Sequence, residues 1–250
     1  MNQAFKDLVS ESEKDSSILG VVLQGSRGKT FEDSSSDYDT ALVVKDEVAD
    51  AYKKKYKNGL PNFDLSIYSL SEFKDYAVWD SDEWWDRYDF LHVKIFADKT
   101  DGLLSKICTE KARIPPNEKN AYIQKKLGAY INNFYRSVKA HKKKKLNAAI
   151  LKAAESVPFL LDAVFALHNR PTPFLDYLED ELQTYPLEKL PWNPIEFHKK
   201  IIEIVSTGSL AVQQEVAKTM EKWARNEGYG NVFDEWEGKD RWAMEYNQGQ

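Results

Sequence analysis

The chain has little cysteine, since Cys108 is the single thiol among its 250 residues. An internal disulfide and a cysteine-based metal cluster are therefore excluded, and we expect Cys108 to be a core residue. No apolar run approaches the roughly 20 residues that a membrane-spanning helix needs. The N-terminal segment also lacks the apolar centre of a signal peptide. These absences predict a cytoplasmic protein that does not enter a membrane.

Positive charge is also in deficit. The chain has 35 Lys and Arg against 40 Asp and Glu, which gives a net charge of −5. Because nucleic-acid binding depends on neutralising many phosphates, this balance argues against a nucleic-acid partner. Acidic residues are interspersed with aromatic ones in 79–89 and 233–246. These stretches fit either a solvated surface whose rings reach the core, or a pocket for a cationic, sugar-like or amine-bearing ligand.

The first hundred residues alternate between strand-like and helix-like patterns. Short apolar or alternating runs predict strands over 18–23, 38–44, 62–70 and 92–97. After the third of these, Ser71 has the character of a helix N-cap.

Beyond Pro115 and Pro116 the pattern is helical throughout. Apolar spacing predicts helices over 117–141, 146–168, 172–183, 194–206 and 209–227. The sequence therefore predicts an α/β (α+β) protein, with a small mixed-sheet domain over 1–113 followed by a C-terminal helical bundle over 114–250.

The segment LQGSRGKTFEDSSSDYDTALVV, from Leu23 to Val44, carries the strongest chemical signal. Asp37 and Asp39 stand at the entrance of a predicted strand, where residues i and i+2 share one face. Two carboxylates held so close repel each other unless a cation lies between them. Mg²⁺ favours such oxygen ligands, and Asp64 on the next predicted strand would complete a cluster of three carboxylates.

Gly25 and Ser26 follow directly after the preceding strand. A glycine there lets the backbone approach a phosphate closely, and the hydroxyl of Ser26 can donate a hydrogen bond to it. The pattern therefore indicates a phosphate-binding turn beside the aspartates.

This constellation resembles the nucleotidyltransferase superfamily typified by DNA polymerase beta. The resemblance depends on the apolar strand, Gly25-Ser26, a ten-residue loop ending in Ser34–Ser36, the Asp37-Tyr38-Asp39 triplet, and Asp64. Thr40 is more polar than the family usually shows at that position. The similarity covers residues 18–103, and the helical C-terminal part is similar in style to the small bacterial aminoglycoside and lincosamide nucleotidyltransferases.

The resemblance implies a Mg²⁺-dependent enzyme that moves a nucleoside monophosphate from a nucleoside triphosphate, with ATP expected, to a hydroxyl of a small molecule. Pyrophosphate is the second product. Asp37 and Asp39 would hold the metal, with Asp64 as a third ligand of a two-metal site, while Gly25, Ser26 and Arg27 would contact the triphosphate. The family context suggests an aminoglycoside-like antibiotic as acceptor, hence a resistance enzyme, and a homodimer.

Several alternatives stay open at this level. The group that activates the acceptor hydroxyl is undecided among Asp64, Glu83, Asp86, Asp89 and Glu155. The main alternative function is a protein adenylyltransferase or an antitoxin-type regulatory nucleotidyltransferase that acts on a partner protein. A nucleotide-binding module without catalysis and an RNA end-modifying enzyme are further alternatives.

Overall fold

Contacts between Cα atoms divide the chain into two units, Met1–Pro115 and Pro116–Gln250. A computed structural model describes residues 3–236 and 241–247. Part of the acidic-aromatic stretch 233–246 noted in the sequence, residues 237–240, therefore lies outside the described residues. The sequence pattern had placed the boundary after residue 113.

A four-stranded mixed sheet organises the described part of the first unit, in the order β3-β2-β1-β4. Its strands are β1 (Ile18–Leu23), β2 (Tyr38–Val44), β3 (Phe63–Ser69) and β4 (Lys94–Asp98). β1 runs antiparallel to both β2 and β4, whereas β2 and β3 are parallel. The predicted mixed sheet is confirmed, and the fourth strand shows the largest shift, since it begins at Lys94 rather than at His92, whose φ is 61°.

Short helices connect and cover these strands. They are α1 (Gln3–Lys14), α2 (Gly25–Lys29), α3 (Ala49–Lys55), α4 (Leu70–Asp75) and α5 (Leu103–Lys111), with 3₁₀ turns at Asp46–Val48 and Trp84–Phe90. The prediction of Ser71 as an N-cap is wrong. Ser69 caps α4 instead, in a reciprocal capping box with Glu72, and the Ser71 hydroxyl donates to Asp46.

The sheet separates two apolar clusters, and β2 contributes to both because its side chains alternate. Tyr38, Leu42 and Val44 belong to the cluster that contains α1. Ala41 and Val43 belong to the cluster on the opposite face. By the same alternation, Asp39 lies on the face of Ala41 and Val43, at the end of the strand where the apolar cover stops.

The second unit is helical in its described residues, as predicted. It contains α6 (Pro116–Lys142), α7 (Leu146–Leu167), α8 (Leu178–Thr184), α9 (Pro194–Thr207), α10 (Leu210–Asn226) and α11 (Asn231–Asp234), with 3₁₀ turns at Leu175–Tyr177 and Arg241–Met244. α6 and α7 form its central pair, α9 packs on α7, and α10 packs on α6 and α9. Within the described ranges, no helix combines the length and the apolar character needed to cross a bilayer.

Asp98 joins the end of β4 to the start of α5, and its removal tests this connection. The carboxylate accepts hydrogen bonds from the backbone N–H and hydroxyl of Thr100 and of Ser105. We expect Asp98→Ala to lower the free energy of unfolding by about 2 kcal/mol, because the N–H of Ser105 in the first turn of α5 loses its acceptor. Urea unfolding measures the change.

Asp33 offers a matched control for this substitution. Its carboxylate accepts the same kinds of bonds from Ser35 and Ser36, but it begins no helix. Asp33→Ala should therefore cost clearly less, and equal losses at the two positions would contradict the role of Asp98 at the start of α5.

Candidate active site

Gly25 lies directly against the carboxylate of Asp39. The chain leaves β1 through Gln24, whose N–H donates to the Asp39 carbonyl over 2.8 Å. Gly25 then takes a φ of 54°, and a Cβ at this position would lie 1.7 Å from Asp39 Oδ2. A side chain is therefore excluded at position 25, both by the left-handed backbone and by the neighbouring carboxylate.

The three predicted aspartates meet at one end of the parallel pair β2–β3. Asp39 and Asp64 are Cα partners in the register of the two strands, and Asp37 immediately precedes β2. Asp39 is half-buried, whereas Asp37 and Asp64 are exposed. The structure thus places the carboxylates that the sequence singled out at one end of the sheet, close enough to interact electrostatically, with Asp39 packed on Gly25.

The electrostatics of this end of the sheet centre on Asp39. Burial and the nearby carboxylates of Asp37, Asp89 and Asp64 raise the pKa of Asp39 to about 6, against an opposing effect of Lys29. Each neighbour disfavours the ionised form because like charges repel. At neutral pH the cluster therefore holds its negative charge at a free-energy cost, which a bound cation would relieve.

Arg27 holds the loop in front of β2. Its guanidinium donates to the carbonyls of Asp37 and Ser36 over 2.8 and 2.7 Å, and it lies 4.4 Å from the ring centroid of Tyr38. The residue predicted to contact a triphosphate therefore engages the backbone that carries Asp37. Ser26, the other predicted phosphate contact, is buried, with 7% of the residue exposed.

Sequence reasoning missed Lys29, which is fully buried beside this cluster. Its Nζ lies 3.6 Å from Asp89 Oδ1 and 4.8 Å from the ring centroid of Tyr88. The lysine follows Gly28 in a polar stretch of the sequence, and nothing in that local pattern signals burial. Its partner Asp89 was among the candidate bases, but it is 60 positions further along the chain, so only the fold reveals the pair.

The segment that carries the other candidate bases is anchored by two buried cations. Arg87 donates to the carbonyls of Ala77, Glu110 and Arg113. Lys111 donates to three more carbonyls, those of Phe73, Lys74 and Tyr76. The acidic-aromatic segment therefore has fixed ends.

Two candidate bases, Asp86 in this segment and Glu155 outside it, have defined hydrogen-bond or ion-pair partners. Asp86 accepts a hydrogen bond from the Tyr76 hydroxyl. The adjacent residue, Trp85, is 57% exposed. Glu155, in the second unit, is exposed and forms an ion pair with Lys152, so it occupies an open helix face rather than a buried position.

The donor set fits a hard divalent cation. Among residues 3–236 and 241–247, no group of three or more His, Cys, Asp or Glu side chains is already arranged to hold a metal ion. Mg²⁺, however, commonly binds through one or two carboxylates and completes its shell with waters and substrate phosphates. Asp37, Asp39 and Asp64 offer such oxygens, and the raised pKa of Asp39 indicates that positive charge beside its carboxylate would be stabilising.

The pKa of Asp39 predicts a pH-dependent effect of its removal. A pKa of about 6 in the folded state, above the ordinary aspartate value of 3.8, stabilises the fold below pH 3.8 relative to neutral pH, and this contribution is lost as pH rises through 6. In chelator, Asp39→Asn should therefore be more stable than wild type above pH 6, by at most about 3 kcal/mol. Urea unfolding between pH 4 and 8 measures the difference, and a pH-independent difference would contradict it.

The contact between Gly25 and Asp39 predicts unequal costs for two glycine substitutions. Gly25 and Gly59 both have positive φ, 54° and 67°, but a Cβ at Gly59 meets nothing within 4 Å. Gly59→Ala should lower the free energy of unfolding by about 1 kcal/mol, the cost of the left-handed backbone. Gly25→Ala should cost about 2 kcal/mol more because the carboxylate must move. Equal losses in urea would show that this contact is not the constraint.

Comparison with known proteins adds no family assignment. No protein-family model matches the sequence, and a search of curated proteins finds no significant match. The resemblance to nucleotidyltransferases therefore stays a prediction, which depends on Gly25, Ser26, Asp37, Asp39 and Asp64.

Proposed function

We propose that the chain transfers a nucleoside monophosphate from a nucleoside triphosphate to the hydroxyl of a small molecule. The observation that carries this proposal is the register pairing of Asp39 with Asp64 on parallel strands, with Asp37 two residues away and Gly25 packed on Asp39. Carboxylates from adjacent strands, beside a turn without a side chain, form a site that suits a metal-bound triphosphate.

The reaction exchanges a phosphoanhydride bond of the triphosphate for a phosphoester bond to the acceptor. The acceptor oxygen forms a bond to the α-phosphorus, and the bond from that phosphorus to its β-bridging oxygen breaks. Pyrophosphate leaves with the electron pair, and the hydroxyl proton passes to a carboxylate. When bound, Mg²⁺ would neutralise charge on the triphosphate and align the attacking oxygen.

The chain's own residues have separable tasks in this scheme. Asp37, Asp39 and Asp64 would hold the metal. Arg27 fixes the loop that presents Asp37, through its bonds to two loop carbonyls. Gly25 allows the backbone to lie against the site, because a larger residue would displace Asp39. ATP is the expected donor, as the resemblance implies.

The acidic-aromatic segment supports a cationic acceptor with ring structure. Trp85 is exposed, directly precedes Asp86 and lies two residues after Glu83, a combination that can stack on a ring and balance ammonium groups. Asp89 at the end of the segment acts electrostatically on Asp39. An aminoglycoside-like compound has this chemistry, and we propose it as the acceptor class.

Ligand-induced stabilisation tests the proposal. A triphosphate that binds the native state raises its stability, by about 2.7 kcal/mol at 100 times the dissociation constant. We expect one or more of the four common nucleoside triphosphates to raise the melting temperature in the presence of Mg²⁺. Asp39→Asn should remove this effect and lower pyrophosphate release with an acceptor about 10²-fold or more.

Asp50→Asn is the matched control, because Asp50 is an exposed carboxylate on α3 of the same unit. It should behave like wild type in both assays. Stabilisation that survives in Asp39→Asn, or the absence of stabilisation by all four triphosphates, would contradict the proposed site.

A further inference from the structure

Lys29 occupies a position that is costly for an ammonium group. Its side chain is 0% exposed, at the end of α2, while that of its partner Asp89 is 28% exposed. Removing a charge from water is strongly unfavourable unless an opposite charge compensates for it. The environment of Lys29 therefore has to supply negative charge.

The compensating charge comes from the candidate site itself. Burial lowers the pKa of Lys29, while Asp89 and Asp39 both act in the opposite direction. Asp89 is in turn influenced by Asp64 as well as by Lys29. One buried cation and four carboxylates, those of Asp37, Asp39, Asp64 and Asp89, thus form a single electrostatic group.

The four carboxylates differ in what holds them. Asp37, Asp39 and Asp64 belong to the open end of the β2–β3 pair. Asp89 belongs to the 3₁₀ turn Trp84–Phe90 and is the carboxylate within 3.6 Å of the lysine. The lysine therefore separates one carboxylate from the other three by pairing with it.

We propose that Lys29 is a positioning residue, a fixed counter-charge that retains Asp89 outside the metal-binding set of Asp37, Asp39 and Asp64. The inference rests on the proposed function, because it assigns a divalent cation to those three carboxylates. As a consequence, the opposite charges of Lys29 and Asp89 together set the affinity for the cation, although neither residue binds it.

A charge cycle measured with Mn²⁺ alone, by titration calorimetry without nucleotide, tests this role. Lys29→Met removes a positive charge near the site and should tighten Mn²⁺ binding about tenfold, the order expected for a unit charge at short, partly screened range. Asp89→Asn leaves the lysine uncompensated and should weaken binding about tenfold. The double variant keeps the pair neutral and should bind within about threefold of wild type.

A merely structural lysine gives a different pattern, because each single substitution would then weaken binding and the double variant would not recover it. That pattern would overturn the inference. If Lys29→Met fails to fold, the comparison of Asp89→Asn with the double variant still decides, since recovery on adding Lys29→Met requires a charge effect. Lys57→Met, at an exposed lysine of the same unit, should leave Mn²⁺ affinity unchanged.

The wild-type titration distinguishes the proposed metal-dependent function from the proposed role of Lys29. Absence of Mn²⁺ binding by wild type would overturn the proposed metal-dependent function and the inference with it. Wild-type binding without opposite shifts in the single variants would overturn the role of Lys29 alone. Opposite shifts with recovery in the double variant would support both.

Discussion

The close packing of Gly25 on the carboxylate of Asp39 is the constraint on which the site of the first unit depends. A residue without a side chain, in a left-handed conformation, turns the chain from β1 into α2. The turn places Arg27 on the loop carbonyl of Asp37 and directs Lys29 into the interior. One backbone position therefore determines where two cations and the central carboxylate lie.

The concentration of carboxylates weakens the fold locally, and aromatic packing on the other face of the sheet offsets this. Tyr38, between the two aspartates of the triplet, alternates to the opposite face. Its ring packs against both Phe5 and Phe63, with centroid distances of 5.0 and 5.1 Å, and these two rings also contact each other at 6.2 Å. The strand that carries the repelling charges is thus anchored at the same point by apolar contacts, which like charges do not affect.

Much of the fold and part of the site could be predicted because they depend on local periodicity. The alternation of β2 and β3 predicted that Asp39 and Asp64 share a face, and the register of the parallel strands aligns them. The helix α2 was missed, since the sequence GSRGK has little intrinsic helix preference. The pairing of Lys29 with Asp89 was missed because no local pattern connects residues so distant in the chain.

Arg27 illustrates a further limit of prediction from local sequence. An arginine after a Gly-Ser turn suggests a phosphate contact, yet in the structure its guanidinium binds main-chain carbonyls of the following loop. The carbonyl groups of every residue are chemically alike, so the sequence contains no signal for such acceptors. Partners of this kind can be identified only from the folded backbone.

The anchoring of residues 73–77 by Arg87 and Lys111 has a consequence for how this protein can diversify. Among the described residues, every hydrogen bond that these two side chains donate ends on a main-chain oxygen. The exposed residues that supply these carbonyls, Lys74, Glu110 and Arg113, can therefore mutate without loss of an acceptor, because substitution leaves the carbonyls in place. Exposed positions on this scaffold, above all Trp85, can therefore change with little penalty to folding, whereas the buried Tyr88 and the paired Asp89 are constrained.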